Sequence, residues 1–214
     1  MIIAVDGPTA SGKGTISRQL AKHFALPFLD TGLLYRAVGW TLRERGGDAD
    51  KPADALAACQ FDNALLDNPA LRSEVVGGLA SRVSVHPEVR IALDKRQKDF
   101  AHQPGGAVLD GRDIGTVIAP DADVKLFVTA SSDARAVRRF EEMKRRGEPA
   151  NFDDILADIL RRDERDQNRA TAPLKPAEDA DLLDTTDLTI DAAIQQAIAL
   201  VNAKTSGRRD KDPA

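Results

Sequence analysis

The sequence GPTASGKGT at residues 7–15 follows directly on an apolar run, Ile2–Asp6. A short and nearly continuous apolar run is typical of a strand that is buried on both faces of a parallel sheet. Beyond the glycines, apolar residues recur at every fourth position from Ile16 to Phe24, which predicts an amphipathic helix over residues 15–25. A strand, a glycine-rich turn and a helix in this order predict the opening of a βαβ unit.

The glycine-rich turn has the composition of a phosphate-binding loop. The usual pattern is Gly, four residues, Gly-Lys and then Ser or Thr, and here Gly14 stands between Lys13 and Thr15. Backbone N–H groups can converge on phosphate oxygens, the helix N-terminus adds a positive dipole, and Lys13 supplies a cation for the β and γ phosphates. A plain strand-to-helix turn with a surface lysine is the alternative. The residues expected to bind the triphosphate, with the Thr15 hydroxyl directed toward Mg²⁺, are Gly7, Pro8, Thr9, Ala10, Ser11, Gly12, Lys13, Gly14 and Thr15.

Composition bounds the class of protein. The chain has 214 residues, with 30 Lys plus Arg against 34 Asp plus Glu, so its formal charge is −4. This balance argues against binding nucleic acid or an anionic membrane through bulk positive charge. Cys59 is the only cysteine, which excludes an intramolecular disulfide and a cysteine-based zinc site and fits a reducing compartment. The apolar runs are too short for a signal peptide or a membrane span, and we expect a cytoplasmic protein.

The rest of the chain predicts alternating strands and helices. Short apolar runs predict strands at residues 26–30, 107–110, 124–128, 182–183 and 188–190. Helical patterns lie at residues 15–25, 32–45, 52–59, 71–84, 88–102, 132–146 and 151–169, with a last helix that we expect Asp191 to cap. The alternation predicts an α/β fold with a mainly parallel sheet flanked by helices. Gly77 and Gly78 predict a bend or close packing in their helix, and we expect a disordered tail at residues 206–214.

Several classes of nucleotide-binding protein are excluded. A GTPase would need a guanine-reading Asn-Lys-x-Asp segment, which the sequence lacks. Motor and AAA-type ATPases need a longer chain. Small phosphotransferases remain, and these require a second pocket in which an acceptor meets the γ-phosphate away from water.

Three polar segments are candidates for that acceptor pocket. They are LDTGLLYR at residues 29–36, DGRDIGT at residues 110–116 and RRDERDQNR at residues 161–169. In the third segment Arg162, Asp166 and Arg169 are spaced i, i+4 and i+7, so one face of a helix carries all three. Two guanidinium groups with a carboxylate between them can hold a phosphate and accept from sugar hydroxyls. A solvated, charged helix face is the alternative for such a segment taken alone.

Together these segments resemble the bacterial cytidylate kinases, the (d)CMP kinase branch of the nucleoside monophosphate kinases. The resemblance runs from Ile2 to about Val201 and includes residues 130–132 and 170–174. It implies the P-loop NTPase fold in a single domain over residues 1–205. The parts that it implies are a core at about 1–34 and 106–205, an acceptor-binding insert at about 35–105 and a lid at about 138–152. Between Gly47 and Ser81 the insert is shorter than in many members of the family.

The resemblance also implies which residues read the base. Asp113 corresponds to a carboxylate that accepts from the N4 amino group of cytosine, with Ser81 and Arg90 at the same base. Uracil would place O4 against this carboxylate and lose the contact. The resemblance therefore implies a pocket for cytosine.

Further roles follow from the same resemblance. It places Arg162 and Asp166 at the ribose and Arg169 at the acceptor phosphate. Arg36 and Arg112 resemble phosphate-holding arginines, and Asp110 is a candidate partner for Mg²⁺ or for Arg112. The expected CMP-binding residues are Thr31, Tyr35, Arg36, Ser81, Arg90, Asp110, Arg112, Asp113, Arg162, Asp166 and Arg169. The expected catalytic residues are Lys13, Arg112 and Arg169. Four arginines of the lid are candidates for contact with the transferring phosphate, and the sequence does not choose among them: Arg138, Arg139, Arg145 and Arg146.

The predicted reaction is transfer of the γ-phosphoryl group of ATP to CMP or dCMP, with Mg²⁺ as cofactor. Two alternatives are a kinase that prefers UMP or a sugar, and a nucleotide-dependent switch or RNA-binding module that uses the arginine-rich helix. The net charge and the scarcity of aromatic residues argue against the RNA-binding module. We expect ATP and CMP or dCMP as small-molecule partners, no nucleic acid, no membrane and a monomer.

Overall fold

Residues 1–209 are described in a computed structural model. The strands are β1 (Ile2–Asp6), β2 (Phe28–Asp30), β3 (Ala107–Gly111), β4 (Val124–Thr129) and β5 (Asp181–Asp184). They form one sheet in the order β2-β3-β1-β4-β5, and every neighbouring pair is parallel. This is the α/β architecture with a parallel sheet that the sequence predicts, and that prediction is confirmed.

The α-helices lie in the connections between strands, except the last one, which follows β5. They are α1 (Lys13–His23), α2 (Thr31–Glu44), α3 (Pro52–Ala57), α4 (Glu74–Val83), α5 (Pro87–Ala101), α6 (Ser132–Arg145), α7 (Phe152–Asn168) and α8 (Ile190–Arg209). Two short 3₁₀ helices, Asn63–Asp67 and Pro69–Arg72, precede α4, and a π-helical turn, Ile114–Ile118, follows β3. In residues 1–209 no helix is both long enough and apolar enough to cross a membrane.

Apolar residues of β1 point alternately to two cores, because successive side chains of a strand face opposite sides of the sheet. Ile3 and Val5 pack in one cluster with residues of α1 and α8. Ala4 packs in the other cluster with Leu109 of β3 and Ile114. All five side chains are fully buried, so helices or turns cover both faces of the sheet at β1.

A third apolar cluster forms outside the sheet, in the chain between β2 and β3. Leu34, Val38 and Leu42 recur every fourth residue along α2 and pack in one cluster with Val83 and Leu93. Every regular element between β2 and β3 is an α-helix or a 3₁₀ helix. This part of the chain therefore has an apolar core of its own beside the sheet.

Most predicted elements lie within a few residues of the observed ones, but the strand predicted at residues 188–190 is wrong. Leu188 donates its N–H to the Thr185 carbonyl in a turn, and Ile190 begins α8. The expected cap at Asp191 is also wrong, because the Thr189 hydroxyl accepts from the Ala192 N–H. An apolar run this short does not distinguish a strand from a helix start, and the threonine that precedes it supplies the cap.

The predicted tail is partly helical. Helix α8 extends to Arg209, so residues 206–209, predicted to be disordered, are helical. Each residue added to an existing helix gains one backbone hydrogen bond without a new nucleation step. The polarity of residues 206–209 predicted disorder and did not indicate this extension of α8. The rest of that prediction, residues 210–214, lies outside the described residues.

Leu109 provides a test of the buried sheet. Leu109→Ala should lower the free energy of unfolding by about 2–5 kcal/mol, because the fully buried side chain of a central strand leaves a cavity. Leu182→Ala on β5 is the control, since the Leu182 side chain is 65% exposed and should cost well under about 1 kcal/mol. Urea unfolding measures both. Equal losses in the two variants would contradict the observed core.

Candidate active site

The site lies at the carboxyl edge of the sheet. All five strands run parallel, so the residues that follow β1 and β3 meet there. Asp6 at the end of β1 is in register with Gly111 at the end of β3. The edge therefore joins the loop after β1 to the segment around Asp113.

The loop at residues 7–12 joins β1 to α1. Gly7 has a φ of 154°, and a Cβ on it would lie 2.0 Å from the Val128 carbonyl oxygen, so only glycine fits beside β4. Gly12 caps α1 with a φ of 89°, a conformation that glycine adopts without steric cost. The Thr185 hydroxyl lies 3.0 Å from the Ser11 carbonyl oxygen and ties the loop to the residue after β5. These contacts hold the loop against β4 and the residue after β5, at the N-terminus of α1.

Lys13 is buried at the base of this loop. Its Nζ donates to the Pro8 carbonyl at 3.3 Å and lies 3.8 Å from Asp110 Oδ1. Burial lowers the pKa of Lys13, the charge of Arg112 acts in the same direction, and Asp110 opposes both. Burial raises the pKa of Asp110 to about 6, and the charge of Lys13 opposes this shift. Thr15 is exposed on the first turn of α1, one residue after Gly14.

A cavity beside the loop collects the predicted acceptor residues. It is lined by Thr31, Tyr35, Arg36, Ser81, Arg90, Arg112, Asp113, Arg162, Asp166 and Arg169, together with Thr9, Gly32, Gly77, Ala80, Ser84 and Gly111. Asp110 is the predicted acceptor residue that is not among them. It lies toward Lys13, and its backbone carbonyl accepts from the Thr31 hydroxyl at 2.8 Å. The structure thus places Asp110 with the phosphate-binding loop.

Asp113 is held by two guanidinium groups. Arg90 Nη2 donates to Oδ2 at 2.5 Å, and Arg169 Nη2 donates to Oδ1 at 3.3 Å. The Arg90 guanidinium also lies 5.5 Å from the centre of the Tyr35 ring. Arg90, Asp113 and Arg169 are all buried. The carboxylate therefore has a fixed orientation in the cavity.

The predicted face of α7 is present. Arg162 and Asp166 are buried on α7, and Arg169, with an extended backbone directly after the helix, reaches the same cavity. Arg112 Nε donates to Asp166 Oδ2 at 2.9 Å, and Arg162 Nε lies 2.7 Å from Asp158 Oδ2. Charged residues on this face are therefore buried among partners, in contrast to a solvated helix face.

Arg36 closes the cavity toward α4. Its Nη1 donates to the carbonyls of Leu71 and Ser73 at 2.7 and 3.0 Å. Helix α4 continues without a break through Gly77, and a Cβ there would lie 2.8 Å from Arg36 Nη2, so the close packing expected at this glycine is confirmed. Burial lowers the pKa of Arg36 to about 10, and the charge of Arg162 adds to this effect. Such crowding of positive charge favours an anion in the cavity.

The four lid arginines differ in their surroundings. Arg138 donates to the Thr185 hydroxyl at 2.9 Å and contacts the phosphate-binding loop, while Arg139 forms an ion pair with Glu74 of α4. Arg145 and Arg146 are exposed. Arg138, Arg139 and Arg145 line a second cavity beside Gly12 and Thr15.

Sequence reasoning missed two charged side chains at this edge. Arg135 of α6 lies 3.0 Å from Asp163 Oδ1 and 3.3 Å from the Thr9 carbonyl oxygen. Asp6 accepts from the backbone N–H groups of Ile114 and Gly115, each at 2.8 Å. Asp6 directly precedes the glycine loop, and its position at the end of a buried strand was the available signal. Its side chain joins β1 to the turn that follows Asp113.

The titration of Asp6 can be measured through stability. Burial raises the pKa of Asp6 from an ordinary 3.8 to about 7. The hydrogen bonds from the two backbone N–H groups lower the pKa, but the effect of burial is larger. The folded protein then binds this proton more tightly than the unfolded chain, so protonated Asp6 stabilises the fold, and this stabilisation is lost as pH rises toward about 7. The stability of wild type relative to Asp6→Asn should fall between about pH 4 and pH 8, on the order of 1.4 kcal/mol for each unit of pKa difference. Urea unfolding of both proteins across this range measures the difference, and parallel pH profiles would contradict the shift.

Comparison with known proteins identifies the family. The cytidylate kinase family model matches residues 3–203. A cytidylate kinase of Rhodopseudomonas palustris is 55% identical over 98% of this chain and 99% of that protein, and one of Bradyrhizobium sp. is 56% identical over the same shares. The crystal structure of an uncharacterized protein from Eubacterium ventriosum has the same fold, with a TM-score of 0.57 at 16% identity over 95% of this chain and 99% of that one. The chain belongs to the cytidylate kinase family.

Proposed function

We propose that the chain is a phosphotransferase that moves the γ-phosphoryl group of ATP to the 5′-phosphate of CMP or dCMP, giving ADP and CDP or dCDP. Membership of the cytidylate kinase family supports this reaction. The observation that carries it is the meeting of two sites at one edge of the sheet. Thr9 of the phosphate-binding loop lines the cavity that holds Asp113 and the arginines, so a triphosphate on the loop would face an acceptor in that cavity.

In this proposal, the loop at residues 7–15 binds ATP, and the base end of the acceptor lies at Asp113. Cytosine donates from N4 and accepts at N3 and O2. An ionised carboxylate only accepts hydrogen bonds, so Asp113 suits the N4 amino group. Ser81 and Arg90 line the same part of the cavity and supply donors for the ring acceptors. The fixed orientation of Asp113 between Arg90 and Arg169 supports this assignment.

The sugar and phosphate would lie along the arginines. We assign the ribose to Arg162 and Asp166, and the phosphates to Arg36, Arg112 and Arg169. Thr31 and Tyr35 complete the wall of the acceptor cavity. The burial that lowers the pKa values of Arg36 and Arg162 supports binding of an anion there.

The chemistry needs positioning and charge neutralisation. An acceptor phosphate loses its second proton near pH 6, so its oxygen can attack the γ-phosphorus without a general base. The new P–O bond forms as the bond to the β-phosphate oxygen breaks, and the electron pair leaves with ADP. Lys13, Arg112 and Arg169 are the proposed catalytic residues, since their positive charges offset the charge of the transferring group.

Mg²⁺ is the proposed cofactor, and the donor set beside the loop fits it. Thr15 carries an exposed hydroxyl, and a Cβ on Gly14 would lie 3.1 Å from Asp110 Oδ2, so two oxygen donors lie close to the start of α1. Mg²⁺ favours oxygen ligands and commonly uses one or two protein groups beside phosphates and water. Bound there by Thr15, with Asp110 behind, the ion would neutralise charge on the β and γ phosphates.

The proposed organisation is one domain over residues 1–205. The separate apolar cluster between β2 and β3 supports an acceptor-binding insert at about 35–105 beside a core at about 1–34 and 106–205. The loop between α6 and α7 supports a lid at about 138–152. Closure of insert and lid would keep water from the γ-phosphate. We further propose a cytoplasmic monomer, and the net charge of −4 argues against binding nucleic acid or an anionic membrane.

The first experiment is ADP release by the purified protein with ATP and Mg²⁺. The protein is given CMP, dCMP, UMP, AMP, GMP or no acceptor. We expect strong stimulation by CMP and dCMP alone. Stimulation by UMP instead would keep the kinase and overturn the role of Asp113. Slow hydrolysis that no monophosphate stimulates would contradict the proposed reaction and favour a nucleotide-dependent switch.

Lys13→Ala is the matching inactive variant. It should lower kcat by orders of magnitude with the fold intact, because the cation at the phosphates is lost. Lys22→Ala serves as the control, since Lys22 is exposed near the end of the same helix. Near-normal turnover of Lys13→Ala would refute the role of Lys13 at the phosphates.

Asp113→Ala should flatten the preference for CMP over UMP. The variant removes the carboxylate that accepts from the N4 amino group of cytosine. Uracil has an oxygen at this position, so this contact distinguishes the two bases. The ratio of kcat/KM for CMP to that for UMP measures the effect, and an unchanged ratio would contradict the assignment. Circular dichroism checks the fold, since Arg90 and Arg169 lose a buried partner.

A further inference from the structure

Arg165 and Ser81 form a hydrogen bond between α7 and α4. Arg165 Nη1 donates to Ser81 Oγ at 2.7 Å, across 84 positions of sequence. Ser81 lines the acceptor cavity, whereas Arg165 lies in the adjoining groove between α4 and α7. The arginine therefore reaches the serine from the side that faces away from the acceptor.

This contact keeps the proton of the serine hydroxyl away from the side that faces Arg165. A hydroxyl group has one O–H donor and two lone pairs. A charged donor occupies one lone pair of Ser81, and such bonds are stronger than neutral ones. Within residues 1–209 the Ser81 hydroxyl donates no hydrogen bond to another protein group. Its proton is therefore available to a ligand in the cavity.

We propose that Arg165 is a positioning residue that makes Ser81 a hydrogen-bond donor to ring N3 of cytosine, and so favours cytosine over uracil. This rests on the proposed function, in which Ser81 contacts the base. Ring N3 accepts in cytosine but carries a hydrogen in uracil. For uracil the serine proton would have to turn away from the N3 hydrogen of the base. It could not turn toward Arg165, because the arginine already donates to the hydroxyl oxygen on that side. Base choice then depends on Ser81 as well as on the Asp113 carboxylate.

The test is a double-mutant cycle in the full chain. Arg165→Met should lower the ratio of kcat/KM for CMP to that for UMP by about tenfold, the effect of about one hydrogen bond. Ser81→Ala should lower the same ratio. In the Ser81→Ala background, Arg165→Met should produce no further change, because the arginine acts through the serine hydroxyl.

Two further variants separate this role from a structural one. Arg165→Lys keeps a charged donor and should retain most of the wild-type ratio. Arg161→Met removes an arginine one turn earlier on α7, whose side chain is 63% exposed and pairs with Asp158, and it should leave the ratio unchanged. KM for ATP should be the same in all variants.

Two outcomes would overturn the proposal. One is an unchanged CMP to UMP ratio in Arg165→Met. The other is an equal change with and without Ser81, since the arginine would then act by another route. Failure of the proposed function is a separate result, because wild type itself would then release no ADP in response to CMP.

Discussion

β1 lies between β3 and β4, and both pairings are parallel. Parallel pairing brings the carboxyl ends of the strands to one edge and requires the chain to cross over between strands. The phosphate-binding loop follows β1 at that edge, and Asp113 follows β3. Asp6 bonds to Ile114 across 108 positions of sequence, so the two ends of the site are joined by the sheet itself.

Buried positive charge dominates the cavity at this edge. The two carboxylates that accompany it form three ion pairs: Asp113 with Arg90, Asp113 with Arg169, and Asp166 with Arg112. Each pair keeps a guanidinium group in one direction, which reduces the reorganisation needed when an anion binds. Arg36 has carbonyl partners instead, and its lowered pKa reflects the burial of a charge without a carboxylate contact.

Helix α4 connects the acceptor cavity to the helices that follow β4. Glu74 at its start pairs with Arg139 of α6 and lies 3.7 Å from Arg162 of α7, and Ser81 near its end accepts from Arg165 of α7. Its start is set locally, because the Ser73 hydroxyl accepts from the Val76 N–H. The helix that supplies Ser81 to the cavity is therefore held at both ends by α6 and α7.

Local features of the sequence determined most of the elements and the composition of the site. The apolar run at Ile2–Asp6, the glycines and the periodicity of α1 and α7 are short-range patterns, and they predicted the strand, the loop and the helical face that carries Arg162 and Asp166. The assignment of the acceptor residues depended on the family resemblance, because donor and acceptor chemistry alone does not choose among the chain's many arginines. A short-range pattern was wrong at residues 188–190, where a turn and a cap compete with a strand.

Tertiary structure alone decided which distant side chains meet. Asp6 holds the turn after Asp113, Thr185 holds the phosphate-binding loop, and Arg165 donates to the hydroxyl of Ser81. It also placed Asp110 behind Lys13 and away from the acceptor cavity. No periodicity in the sequence pairs these residues, because the distance between the two polar groups of each contact is set by strand order and helix packing.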